Sequence, residues 1–140
     1  MNDIAVIDSS VAIKLMIKEH GSEEALNLIN KYALFVAPSV FTIEVDAVMT
    51  KKVRSRMLPY GTFERALEGF DRIPVHIIDY KDIRENTLFM SSTYMISSYD
   101  ASFVVVAHSF ELPFYTADKR LYNFITRDLS SLNINAFLIE

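Results

Sequence analysis

The sequence predicts a three-layer α/β/α sandwich around a central, mainly parallel sheet of about five strands. Two observations carry this expectation. Continuous apolar runs of strand length alternate along the chain with segments of helical period, the pattern of strands buried on both faces by crossover helices. The chain is 140 residues long and 51% hydrophobic, enough to bury roughly two thirds of its unfolded surface in one core.

Residues 4–7 (IAVI) form the first predicted strand, 34–37 the second, 75–78 the third and 114–116 the fourth, with 136–139 as a last edge strand. A short helix over 11–17 follows the first strand. Ser22 is the expected N-cap of a helix over 23–30, whose first turn gains from Glu23 and Glu24. Ser39 is expected to cap a longer helix reaching about residue 57, and Pro59 and Gly61 punctuate the chain before another over 62–70. Asp79, with Asp82 three residues on, reads as a near capping box for a helix from 81 to about 96. Helices over 99–110 and 119–125 complete the set.

Val45, Val48, Met49, Val53 and Met57 recur at helical spacing and are answered by Phe63, Ala66, Leu67 and Phe70, which makes them core stripes. Such a helical pair can also bury part of its surface in a partner, as can the group Leu88, Met90, Tyr94 and Met95. With 4 prolines, 3 glycines and no repeat or low-complexity segment, residues 1–140 read as a single domain. No apolar run reaches the ~18 residues of a membrane span and the start of the chain is acidic, so a soluble, cytoplasmic protein is expected. Cysteine is absent, which removes disulfides, thiolate zinc sites and cysteine nucleophiles and fits a reducing compartment. His20, His76 and His108 show no metal-ligand spacing.

Within that architecture four acids stand out. Asp8 ends the first strand, Glu44 lies in the second turn of the helix after the second, Asp100 opens the helix feeding the fourth, and Asp118 follows the fourth. Ligands of open parallel sheets bind outside the carboxyl ends of the strands, so all four acids are predicted at one edge. Strand-end acids also cap helices, and Asp8 and Asp118 fit that role equally. Uncompensated, four neighbouring carboxylates repel one another, and a hard divalent cation relieves the repulsion. Mg²⁺ or Mn²⁺, as one ion or two, suits oxygen ligands on a rigid edge; it activates water near neutral pH and stabilises charge on a phosphoryl oxygen. Phosphodiester hydrolysis is the natural chemistry. The net charge of −4 argues against a simple nucleic-acid binder. Of the 18 acidic residues, however, four are this set, leaving 14 to balance the 14 Lys and Arg.

The stretches IDSSVAIKLM around Asp8, APSVFTIEVDAVM around Glu44 and SSYDASFVVVAHSFELPFYTADKRL around Asp100 and Asp118 resemble, in this order and over the whole chain, the PIN domain, and most closely its VapC-type toxin branch. The resemblance implies a Mg²⁺- or Mn²⁺-dependent endoribonuclease acting on RNA, a homodimer, and neutralisation by a small antitoxin protein. It implies Asp8 and Asp100 as the firmest metal ligands, Asp118 as a ligand or the orienter of a water, and Glu44 as the holder of a water or second metal. Thr116 and Ser9 are expected to hydrogen-bond a site carboxylate or water, and Lys119 and Arg120 to meet an RNA phosphate. Two positions depart from the family pattern: Ala47 stands where these proteins commonly have Asn, and Asp46 adds an acid.

The alternatives are a non-catalytic PIN-like module binding RNA or protein, and a receiver-type phosphoacceptor domain. The second needs an acid pair after the first strand, where Ser9 follows Asp8, and a phosphorylatable acid after the third, where only Asp79 stands. A haloacid-dehalogenase-type phosphatase needs Asp where Ser10 stands, and a dinucleotide binder needs a Gly-rich first turn that is missing.

Overall fold

Five parallel strands make one sheet in the computed structural model, which describes residues 3–140. They are β1 (Ile4–Ile7), β2 (Leu34–Pro38), β3 (Val75–Ile78), β4 (Phe114–Thr116) and β5 (Ala136–Leu138), in the order β3-β2-β1-β4-β5. The helices are α1 (Ser9–Met16), α2 (Ser22–Lys31), α3 (Val40–Arg54), α4 (Tyr60–Asp71), α5 (Tyr80–Tyr94), α6 (Ser98–Ser109) and α7 (Lys119–Arg127), with a 3₁₀ turn at Ser130–Leu132. The chain steps outward from β1 to β2 to β3, then returns past β1 to β4 and β5. Right-handed crossovers therefore send α1–α4 to one face and α5–α7 to the other, giving the three-layer α/β/α sandwich.

β1 sits at the centre, paired with β2 and β4, and Ala5, Val6 and Ile7 are wholly buried. This is why its sequence shows no polar alternation. On one face α1 packs against α2, α3 and α4. On the other, α6 packs against α5, β1 and β2, and every residue from 101 to 107 is buried. A helix apolar all round must be covered all round, so α6 is fixed in place and its N-terminus, with Asp100, is fixed with it.

Element ends differ from expectation where a serine has other work. α2 is capped by Gly21 at φ +87°, a left-handed conformation, while Ser22 begins the helix. The Ser22 hydroxyl instead donates to the Ile17 carbonyl at 3.1 Å and accepts from the Glu19 N–H at 2.9 Å. Ser39 does precede α3, but its hydroxyl accepts from the Tyr80 N–H at 3.0 Å and ties β2 to α5. α3 stops at Arg54, short of 57, because Arg56 turns left-handed at φ +61° and the Met57 and Leu58 N–H groups bond back to the Lys52 carbonyl. α4 begins at Tyr60, directly after the extended Pro59. In the last apolar group Met90 is buried, Tyr94 is partly buried, and Leu88 and Met95 are exposed.

Phe114 links the core to the carboxyl edge. It is 0% exposed, its ring stacks on Phe103 of α6 at 6.5 Å between centroids, and its strand ends two residues later at Thr116. Phe114→Ala should cost about 3–5 kcal/mol in chemical denaturation, the range for emptying a filled core position. A loss below about 1 kcal/mol would mean that β4 is not held by this contact.

Candidate active site

The reversal of strand order between β1 and β4 makes them the switch point of the sheet, where crossovers leaving on opposite faces open a crevice. The residues just past these two strands are Asp8 and, after Ala117, Asp118. The β1–β4 register pairs Ile7 with Tyr115, so one step further sets Thr116 beside Asp8.

Asp8 is buried, and both of its oxygens are occupied. Oδ1 accepts from the Ser10 hydroxyl at 2.5 Å and the Val11 N–H at 3.3 Å; Oδ2 accepts from the Thr116 hydroxyl at 2.5 Å. Each hydroxyl is itself committed as an acceptor, Ser10 from the Ala117 N–H at 2.9 Å and Thr116 from the Asp118 N–H at 3.0 Å. Their protons therefore point at Asp8. Two relays thus run from the end of β4 to one carboxylate, and they orient it as an acceptor. Burial pushes the Asp8 carboxyl up to about 6, the three donors pull it down, and the charge of Asp118 adds to the rise.

The other acids feel one another. Glu44, half-buried on α3, is pushed up to about 7 by burial first, then by the charges of Asp100 and Asp8. Asp118 caps α7, accepting from the Leu121 N–H at 3.1 Å, and its side chain is 39% exposed. Asp100 stands in the first turn of α6, 22% exposed. Arg120 lies between them, its guanidinium 3.0 Å from Asp100 and 3.8 Å from Asp118. The fold thus brings all four sequence-predicted acids into one electrostatic cluster, two of them also capping helices.

The remaining candidates divide. Thr116 meets Asp8 as expected of it. The serine that meets Asp8 is Ser10; Ser9 lines a hollow beside it. The missed signal was a hydroxyl two residues after a strand-end acid, within reach of that acid once the chain turns into a helix. Lys119 is exposed, and Arg120 faces the acids. Asp46 and Ala47 are exposed on α3. Asp79 follows the edge strand β3, with β2 between it and β1, and caps α5 through the Lys81 N–H at 3.1 Å. That placement leaves it no part in a receiver-type acid cluster around Asp8.

Among the described residues, no three His, Cys, Asp or Glu side chains are grouped closely enough to hold a metal ion by themselves. The donor chemistry still fits a small hard cation. All four groups offer oxygen, and two are held above their ordinary range by burial and by one another. Mg²⁺ commonly takes only one or two direct carboxylates and keeps waters that reach the rest, which suits a spread cluster better than a closed cage does.

The raised acids set the pH dependence of the metal-free protein. Between about 4.5 and 7 for Glu44, and between 3.8 and about 6 for Asp8, the native state holds more protons than the unfolded chain. Their contribution to stability is thus whole at low pH and is lost as pH rises through the native values. In a chelator, the denaturation midpoint should fall from pH 5 to pH 7.5, and Glu44→Gln should fall less. Equal slopes would show that Glu44 is not destabilised by its setting.

Comparison with known proteins agrees with the geometry. The crystal structure of PAE2754 from Pyrobaculum aerophilum has the same fold, with a TM-score of 0.66 at 17% identity over 95% of this chain and 98% of that one. No curated protein sequence matches the chain. The PIN domain matches residues 5–125, a span that runs from β1 into α7 and includes all four acids, and PIN domains are generally nucleases that use divalent metal ions. The chain belongs to the PIN domain family.

Proposed function

We propose that this chain is an endoribonuclease that hydrolyses RNA phosphodiester bonds, with Mg²⁺ or Mn²⁺ bound at the edge formed by Asp8, Asp100 and Asp118, directly by one or two of these acids and through waters by the rest. The observation that carries the reading is the electrostatic coupling of four carboxylates at the switch point of a nuclease-family fold. The cation, when bound, supplies charge that activates a water and stabilises the phosphoryl oxygens. The protein's own groups do the rest. Ser10, Val11 and Thr116 hold Asp8 in one orientation. The α7 N-terminus holds Asp118 by the Leu121 N–H. Glu44, half-buried on α3 beside Asp8 and Asp100, would hold a water or a second metal. Arg120 is 73% exposed, so its ion pairs are solvent-screened and weak. Once a cation shares the acids' charge, Arg120 is free to turn to an RNA phosphate, with Lys119 beside it.

The same reading extends to the toxin of a toxin–antitoxin pair, acting as a homodimer. Exposed Leu88, Phe89 and Met95 on and after α5, with Tyr99 on α6, support an apolar contact of that kind. The non-catalytic alternative draws on one observation, the loose grouping of the acids.

Incubation of a mixed RNA panel with Mg²⁺, Mn²⁺ or EDTA separates the two. The unmodified chain should cleave only with metal, and Asp8→Asn, Asp100→Asn and Asp118→Asn should each abolish cleavage. Thr116→Val, which removes one donor from Asp8, should weaken activity or metal affinity about 10- to 100-fold. Cleavage that survives EDTA or Asp100→Asn contradicts the mechanism. Light scattering of the same preparation at micromolar concentration should report a dimer; a monomer removes that half of the proposal.

A further inference from the structure

A basic groove lies beside the residues that hold Asp8. Its near end is formed by Ser9, Ser10 and Ala117, the last two belonging to a relay that holds Asp8. From there a hollow of about 300 Å³ runs between α1 and α3, bordered by Lys14, Glu19 and Lys52. Glu19 and Lys52 also border a second hollow of about 520 Å³, where the ends of α1 and α3 meet α4 and where Lys18 and Arg65 stand. The two hollows share Glu19 and Lys52 and so adjoin on the surface, the first of them beside the residues that hold Asp8.

The charge of this groove is unlike that of the chain as a whole, which carries −4. Four cations face one acid, and that acid is already matched, since Glu19 pairs with Lys14 at 3.3 Å. Lys14 also donates to the His20 carbonyl at 2.6 Å. Among the described residues, no carboxylate lies within ion-pair distance of Lys18, Lys52 or Arg65. The hydrogen bond from Arg65 to the Thr62 hydroxyl at 3.3 Å leaves its charge uncompensated. Apolar side chains of Ile17, Met57 and Leu58 line the same stretch.

We infer that this groove is the binding path for a single RNA strand on one side of the cleaved phosphate, with Lys52 and Arg65 each meeting a backbone phosphate and Lys18 a third. The assignment builds on the nuclease reading and gives its substrate a direction. A polyanion has to approach a cluster of four carboxylates that repels it, and unmatched cations in a groove beside that cluster offset the repulsion. The hollows are of small-ligand size, which suits the single units of one strand. The apolar patches give unstacked bases a surface beside the phosphate contacts.

The test is fluorescence anisotropy with a labelled RNA of about twelve nucleotides. It is run in the Asp100→Asn background so that the strand stays intact, with and without Lys52→Ala/Arg65→Ala, and with Lys81→Ala, an exposed cation on α5, as control. The double change should weaken binding about 10-fold or more and flatten the slope of log K against log salt by about 1.4, two phosphates at about 0.7 each. The control should shift neither, and unchanged melting temperatures confirm intact folds. Equal affinity and slope in the double variant overturn the inference. So does displacement of the RNA by poly-glutamate as effectively as by unlabelled RNA, which would mark the groove as a dock for an acidic protein. Cleavage assays on the otherwise unmodified chain keep the two proposals apart. Groove-dependent RNA binding without metal-dependent cleavage sinks the nuclease reading alone, whereas cleavage with a KM unaffected by the double change sinks the groove alone.

Discussion

A charged group buried at the end of the central strand is the constraint on which the rest of the carboxyl edge depends. A lone buried carboxylate is strongly disfavoured, and Asp8 is tolerated because three donors reach it. Two of those donors are hydroxyls whose own acceptor sites are filled by the backbone just past β4. The β1–β4 register therefore serves two ends at once. It closes the middle of the sheet, and it brings Thr116, Ala117 and Asp118 to where Asp8 needs them. Displacing β4 by one residue would put Thr116 out of reach and leave Asp8 short of a partner.

Helix capping and site building are here one arrangement. Asp8 caps α1 and Asp118 caps α7, each by the ordinary bond to an N–H three residues on. Both also lie at the switch point, because in a parallel sheet the end of a strand and the start of the next helix are the same place. The capping bonds fix where these carboxylates sit. The electrostatic penalty on Asp8 and Glu44 shows that capping does not exhaust what four acids in one place imply. Arg120, from solvent, offsets part of the charge of Asp100 and Asp118 instead.

Much of this was legible in the sequence, for physical reasons. The inner strands β1, β2 and β4 are buried on both faces and must be apolar throughout, and the edge strands β3 and β5, though partly exposed, are mostly apolar, so all five were readable from composition over a few residues. α6 was readable for the same reason. Sheet order was not, because nothing in a strand's own residues names its neighbour; the convergence of Glu44 and Asp100 on Asp8 became visible only with the order β3-β2-β1-β4-β5. The serines were the least legible. A serine hydroxyl serves a local cap and a distant backbone group equally well, and Ser39 bonds a residue 41 positions away. Ser10 went unassigned for a related reason, since its contact with Asp8 depends on how tightly α1 begins. The basic groove was illegible altogether, because Lys18, Lys52 and Arg65 come from the loop after α1, from α3 and from α4 and read singly as solvated surface charge.

The central claim is that these carboxylates form one cation site whose mutual repulsion is relieved by metal. A ligand that binds only the folded state stabilises by RT ln(1 + [L]/Kd), about 2.7 kcal/mol at 100 times Kd, which raises the melting temperature of a domain of this size by several degrees. The direct measurement is a thermal melt of the unmodified chain and of Asp8→Asn across a Mn²⁺ series at matched ionic strength, so that screening is not mistaken for binding. The account predicts a saturable rise of several degrees for the unmodified chain and little or none for Asp8→Asn. An equal response from both proteins, or none from the unmodified chain at saturating Mn²⁺, would contradict it.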